Sequence, residues 1–167
     1  MRCIYEANIS KDLKQKIKQL ARDYGQTREL LVKFAKSPKG KKACGSYYEH
    51  SFYRGVAKHF QSHWRSHYDK FIFINTQKHN DDAELFRTFA HEFKHYLQDV
   101  NNEGYSEHEA QRFEVAMTNQ LFDTNYVLKE DERRVRVVVK NGEKKIYKYR
   151  PRYFNVVNLK ERKNEHR

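Results

Sequence analysis

The stretch Phe86–Phe113, FRTFAHEFKHYLQDVNNEGYSEHEAQRF, decides how the rest of the chain is read. Phe86, Ala90, Phe93 and Leu97 recur at intervals of four, three and four. That is the stripe of a helix with one face in a core. Asp81 stands where its N-cap belongs, and Glu84, three residues on, completes a capping box. Asn101, Asn102 and Gly104 end this helix and turn the chain. A second helix begins in SEHEAQRFEVAMTNQLF, with Ala110, Phe113, Met117 and Leu121 expected on its inner face. The run KFIFIN at 70–75, just upstream, is rich in β-formers and predicts a strand.

His91 and His95 lie four apart on the first helix. That spacing separates them by about 40° around the axis and about 6 Å along it. Both Nε2 atoms can then meet one ion at roughly 2.0–2.1 Å, the zinc–imidazole bond length. Glu92, beside His91, can lean over the same ion without ligating it and take a proton from water held there. This division of labour gives the HExxH pattern its chemical content. Without a metal, the same residues are a polar helix face with two solvated histidines. The context favours the metal: the motif is in mid-helix, and its apolar stripe lies on a neighbouring face.

FRTFAHEFKHYLQ, preceded by KFIFIN, resembles the active-site helix and preceding strand of the zincin metallopeptidases. EHEAQRFE resembles the glutamate-bearing second helix of the compact zincins, in particular the ImmA/IrrE-like group with its Glu-Ala-Asn-Arg-Phe pattern. Here that pattern is Glu109-Ala110-Gln111-Arg112-Phe113, with Gln in place of Asn. The similarity spans roughly residues 68–122. It implies Zn2+ held by His91, His95 and Glu109, with Glu92 as the catalytic base and a protein or peptide as substrate. Other assignments stay open. Ser106 and Glu109 are spaced as N-cap and N3 of a capping box, a purely local reason for that glutamate. Glu107 and His108 are the alternative third ligands. A histidine ligand would look more like the SprT-like DNA-repair peptidases, which also have a Gly-Tyr before the second helix, here Gly104-Tyr105. Against that branch, the chain lacks the cysteines of the zinc ribbon many of them carry. A hydrolase also needs a donor for the developing oxyanion; Tyr105 and His108 are the candidates near the metal.

Elsewhere the chain is read more coarsely. SKDLKQKIKQLARDYG predicts a helix capped by Ser10 and ended by Gly25, with Leu13, Ile17, Leu20 and Ala21 inward. A second N-terminal helix is expected over Thr27–Lys36, with Leu30, Leu31, Phe34 and Ala35 inward, broken by Ser37-Pro38-Lys39-Gly40. GSYYEHSFYR has the character of a strand. His59, His63 and His67 form a stripe if helical, expected to face solvent or nucleic acid; Trp64 and Tyr68 are expected in the core or a groove wall. RRVRVVVKNGEKKIYKYR predicts two strands about a tight turn at Asn141-Gly142, with Pro151 ending the second.

The net charge of +12 is uneven. Residues 133–167 hold 13 Lys/Arg against 3 Asp/Glu, and residues 1–132 hold 21 against 19, so +10 of the total lies in the C-terminal fifth. Arg133, Arg134, Arg136, Lys140, Lys144, Lys145, Lys148, Arg150 and Arg152 are candidates for binding a polyanion, with Tyr147 and Tyr149 placed to stack on exposed bases. The competing roles are a groove for an acidic protein, or charges that keep an edge hairpin from aggregating. No apolar run approaches the ~18 residues of a membrane span, and the N-terminus lacks the apolar core of a signal peptide. Cys3 and Cys44 make no disulfide framework. An intracellular setting (cytoplasm, nucleus or virion) is expected.

Together these features predict an α+β, compact zincin-like metallopeptidase with a small sheet, the HExxH helix, a second ligand helix and a basic C-terminal β-hairpin. Residues 1–132 would form the catalytic domain, with 133–167 packed on it as hairpin and tail. The expected activity is zinc-dependent hydrolysis of peptide bonds, in a protein on or near nucleic acid. The alternative is a nucleic-acid-binding or virion-associated structural protein whose zinc is structural or vestigial. Glu92 favours the enzyme, because a structural site has no use for a base.

Overall fold

Four strands form one mixed sheet in the order β1–β2–β4–β3: β1 Arg2–Tyr5, β2 Leu30–Ala35, β3 Gly45–Tyr48 and β4 Lys70–Asn75. β1, β2 and β4 run parallel, and β3 is antiparallel to β4 at the edge. The structure is a computed structural model. It describes residues 1–25, 29–36, 44–49, 60, 68–130, 135–140, 143–148 and 154–158, with side chains up to Leu128. Among these residues it is a mixed α+β fold with three α-helices.

The two inner strands, LLVKFA and KFIFIN, are apolar almost throughout, as strands covered on both faces must be. Leu30, Val32, Phe34, Ile72 and Ile74 turn to the main core, and Leu31, Ala35, Phe71 and Phe73 to a second cluster with Phe60. Here the helix expected over Thr27–Lys36 is corrected to strand β2. Leu30, Leu31, Phe34 and Ala35 fit a helical face, but they also belong to a short continuous apolar run, and periodicity alone does not separate the two. Pairing with β1 and β4 on either side makes the run a central strand.

α1 (Lys11–Tyr24) follows the expectation: Ser10 Oγ accepts from Leu13 N at 3.0 Å, and Leu13, Ile17, Leu20 and Ala21 are buried. Gly25 ends it at φ +69°, a left-handed conformation that glycine adopts without strain. After a 3-10 turn (Thr76–Lys78), α2 spans Asp82–Val100. Asp81 caps Glu84 N at 2.8 Å; the Glu84 carboxylate turns back to the amide of Asn80, at 2.9 Å, one residue before the cap. Phe86, Ala90, Phe93 and Leu97 are buried as expected, and Leu85, Phe89 and Tyr96 widen the stripe. Asp99, at the end of α2, holds the sheet to the helix by accepting from Tyr47 Oη at 2.5 Å and pairing with Lys70.

α3 (Glu107–Phe122) starts at Ser106. Phe113, Met117 and Leu121 lie half-buried against the core, but the buried positions beside Ala110 are Gln111, Glu114 and Thr118. From Glu107, the polar positions 107, 111, 114 and 118 recur at four, three and four, so α3 presents a polar stripe.

Beyond α3, β5 (Tyr126–Glu130) pairs antiparallel with β8 (Phe154–Asn158), and β6 (Val135–Lys140) pairs with β7 (Glu143–Lys148). The Asn119 amide ties β5 to α3 by bonding both Tyr126 N, at 2.8 Å, and Tyr126 O, at 2.9 Å. β6 and β7 are the two strands expected of the basic hairpin, with Lys140 opposite Glu143. Arg136, Lys140, Lys144, Lys145 and Lys148 lie on them. Arg133, Arg134, Asn141-Gly142, Arg150, Pro151 and Arg152 lie outside the described residues, as do His59, His63, Trp64 and His67. Tyr68 packs on the second apolar cluster. Among the described residues no helix is long and apolar enough to cross a membrane.

Candidate metal centre

Where the polar stripe of α3 meets α2, three side chains converge. With one ligand atom taken from each, His91, His95 and Glu107 lie within 4.8 Å of one another. His91 Nε2 and His95 Nε2 are 3.2 Å apart. Glu107 Oε2 is 3.2 Å from His91 Nε2, and its Oε1 is 3.5 Å from His95 Nε2. The histidines meet because α2 puts them one turn apart. Glu107 meets them because Ser106 starts α3 one residue earlier, pointing its first turn at α2.

The other nitrogen of each imidazole is also engaged. His91 Nδ1 is 2.6 Å from Glu114 Oε2, and His95 Nδ1 is 2.9 Å from Gln98 Oε1. Both partners offer oxygens that accept, so each Nδ1 is placed to donate, and each ring in its neutral form turns an Nε2 lone pair inward. Two lone pairs 3.2 Å apart repel unless a cation, a proton or a metal, lies between them. The donor set of two imidazoles and a carboxylate suits zinc. Two ligands at about 2.0–2.1 Å in a tetrahedron stand about 3.3 Å apart, close to the spacing of the two histidines.

Electrostatics separate the histidines. Burial, then the nearby His91, hold His95 below the usual histidine value against the bond to Gln98, which favours its neutral form. Burial also opposes charge on His91, but the bond and charge of Glu114, with Glu92 and Glu107, outweigh it and raise that group. The Tyr105 ring lies flat on the buried His95 ring, centroids 4.0 Å apart and planes 9° apart, while Tyr105 itself is 62% exposed. His108 is exposed on the first turn of α3.

Glu109, expected as third ligand, is not among the three side chains that converge here. Its amide is the one that Ser106 Oγ caps, at 3.3 Å. Its carboxylate, 55% exposed, accepts from Gln98 Nε2 at 3.2 Å and lies 4.0 Å from Lys94. Two residues along a helix is about 200° around the axis, so Glu107 and Glu109 cannot face the same point.

Glu92 lies against β3. Burial pushes its carboxyl up to about 7, against the pull of His91 and of the Tyr47 backbone N–H that bonds it. The close approach depends on Gly45. A Cβ there would fall 2.8 Å from Thr88 Cγ2 and 2.9 Å from both Cγ and Oε1 of Glu92. Gly45, Gln98 and Glu114 are site residues that sequence reasoning passed over. Glu114 carries a signal, being seven residues and two turns after Glu107 on the same helix face. No protein-family model, no curated protein and no solved structure matches the chain.

Proposed function

We propose that this chain is a zinc-dependent metallopeptidase with the layout of a compact zincin. The observation that supports this most directly is the inward-facing Nε2 pair of His91 and His95 closed by Glu107, with a further buried carboxylate, Glu92, next to His91 in sequence and outside that group. His91, His95 and Glu107 would hold the ion. Zinc, when bound, supplies Lewis acidity: it makes water a better nucleophile and polarises a carbonyl.

Glu92 is the proton carrier. A carboxyl poised near 7 accepts a proton near neutral pH and returns it to the leaving amine; a bound cation would draw that value down. Burial against β3 keeps Glu92 in one place. Among the described residues β3 pairs only with β4, so its outer edge, next to Glu92, suits an extended peptide added as a further strand. Tyr105, held against His95 and exposed, is the phenol best placed to donate to the substrate's oxygen. For the C-terminal segment, the +10 balance of residues 133–167 supports a second role, binding nucleic acid or another polyanion near the substrate.

The test is digestion of fluorescein-labelled casein by zinc-loaded wild type and Glu92→Gln. The substitution should leave zinc bound and slow cleavage by about 100-fold or more. Equal cleavage by the two proteins would remove Glu92 from the reaction, and no cleavage by either would leave the zinc structural.

A further inference from the structure

Gln98 touches both halves of the centre. It is 1% exposed, three residues after His95 on α2. Its Oε1 accepts from His95 Nδ1 at 2.9 Å and from Ser106 N at 3.4 Å. Its Nε2 donates to Ser106 O at 3.1 Å and to Glu109 Oε2 at 3.2 Å. Turned over, the amide would set NH2 against the Ser106 N–H and its oxygen against the Ser106 carbonyl and the Glu109 carboxylate, losing those three bonds. Three of the four partners lie outside the histidine: the two backbone groups of Ser106 and the carboxylate of Glu109. They fix the amide whatever His95 prefers. An oxygen at Nδ1 then requires a proton there and leaves the lone pair on Nε2, the nitrogen 3.5 Å from Glu107.

We propose that Gln98 is the positioning residue of this centre. It sets the tautomer of His95 from the α3 side, and with the same amide pins residue 106 to α2, so that Glu107, the next residue, stands at the two histidines. The metal-binding reading of the site is the ground on which this rests. It also gives Glu109 a reason to be acidic: its carboxylate holds the donor end of Gln98 and cannot bond an amide turned the other way. A glutamine that merely filled its hydrogen bonds would have no hold on the metal.

Wild type, Gln98→Leu and Gln98→Glu, each as the 167-residue chain, decide the matter in two measurements, with thermal unfolding of the metal-free proteins to show that each is folded. The first is zinc affinity by competition with a chromogenic chelator. Gln98→Leu removes both functions and should weaken zinc binding by about 10–100-fold. Gln98→Glu keeps the acceptor for His95 but loses both donors and sets a carboxylate against Glu109, so its affinity should fall between the other two. The second is long-range 15N–1H NMR of the metal-free histidines. Wild type and Gln98→Glu should show the Nδ1–H form of His95, and Gln98→Leu a mixture. Zinc affinity in folded Gln98→Leu within about twofold of wild type, or an Nε2–H His95 in metal-free wild type, would overturn the proposal. If Gln98→Leu does not fold, an undiminished zinc affinity in Gln98→Glu overturns it instead. A wild type that binds no zinc overturns the metal reading itself, while the tautomer measured without metal still decides what Gln98 does to His95.

Discussion

Glu114 Oε2 lies 2.6 Å from His91 Nδ1, on the opposite side of the imidazole from Glu107, whose Oε2 is 3.2 Å from Nε2. One helix thus grips both nitrogens of a histidine carried by another, with two glutamates seven residues apart. Arg87 stands behind Glu114, its Nη1 3.7 Å from Oε1 and its guanidinium 5.1 Å from the centre of the Tyr126 ring. Buried as it is, Glu114 is held in place between His91 and Arg87.

Glu114→Ala should therefore weaken zinc binding by about 10–100-fold, the usual effect of removing the partner that orients a ligating histidine. Glu114→Gln keeps an oxygen for Nδ1–H and should lose less. Zinc competition titrations on the three proteins check this; identical affinities would mean that His91 needs no orienting group.

The two acidic residues at the start of α3 part company on the same measurement. Glu107→Gln removes the charged oxygen facing both Nε2 atoms and should abolish tight zinc binding. Glu109→Gln keeps an acceptor for Gln98 Nε2, leaves the Ser106 cap intact and should bind zinc almost as wild type does. Ser106→Ala should cost about 1 kcal/mol of stability through removal of the cap. A large zinc effect at Glu109 with none at Glu107 would reverse the ligand assignment.

Local signals are legible in this sequence and long-range ones are not. Ser10, Asp81 and Ser106 cap the helices expected of them, because a cap is a contact over three residues. His91 and His95 meet because helix pitch dictates it. The choice between Glu107 and Glu109 depends on how α3 is rotated against α2, and its apolar stripe misdirects: Phe113, Met117 and Leu121 pack at the side, while Glu114 and Thr118 turn inward. β2 reads as a helix because the partners that make it a strand, β1 and β4, are distant in sequence. The closeness of Gly45 to Glu92 is likewise a contact between elements that no local pattern announces.

The basic segment is best tested by substitution. β8 supplies the partner of β5, so cutting the chain after Glu132 would also unpair a strand anchored to α3. Lys144, Lys145 and Lys148 lie on β7, where changing them to Gln keeps the backbone pairing. If they neutralise phosphates, the triple variant should bind duplex DNA more weakly. The slope of log K against log salt should then shrink by about 0.9 for each phosphate left without its lysine. An unchanged slope, measured by fluorescence anisotropy, would leave these lysines a solvated edge.

Gly45→Ala tests how Glu92 is placed. The new Cβ has no room: Thr88 Cγ2 would be 2.8 Å away, and Glu92 Cγ and Oε1 each 2.9 Å. Thr88 is stiff at χ1 on a helix, so either β3 moves off or Glu92 turns aside. Such overpacking should cost about 1–3 kcal/mol in thermal or denaturant unfolding. Zinc should stay bound, because His91, His95 and Glu107 stand on α2 and α3. Casein cleavage should fall by about 10–100-fold, a scale that fits an ångström's displacement of a reacting group. The double variant Gly45→Ala/Thr88→Ser separates packing from chemistry. It deletes the Cγ2 contact and should recover much of the stability, yet leaves both contacts with Glu92. Activity that stays low while stability returns assigns Gly45 to the placement of Glu92. Activity that returns in step with stability would make Gly45 a packing residue alone.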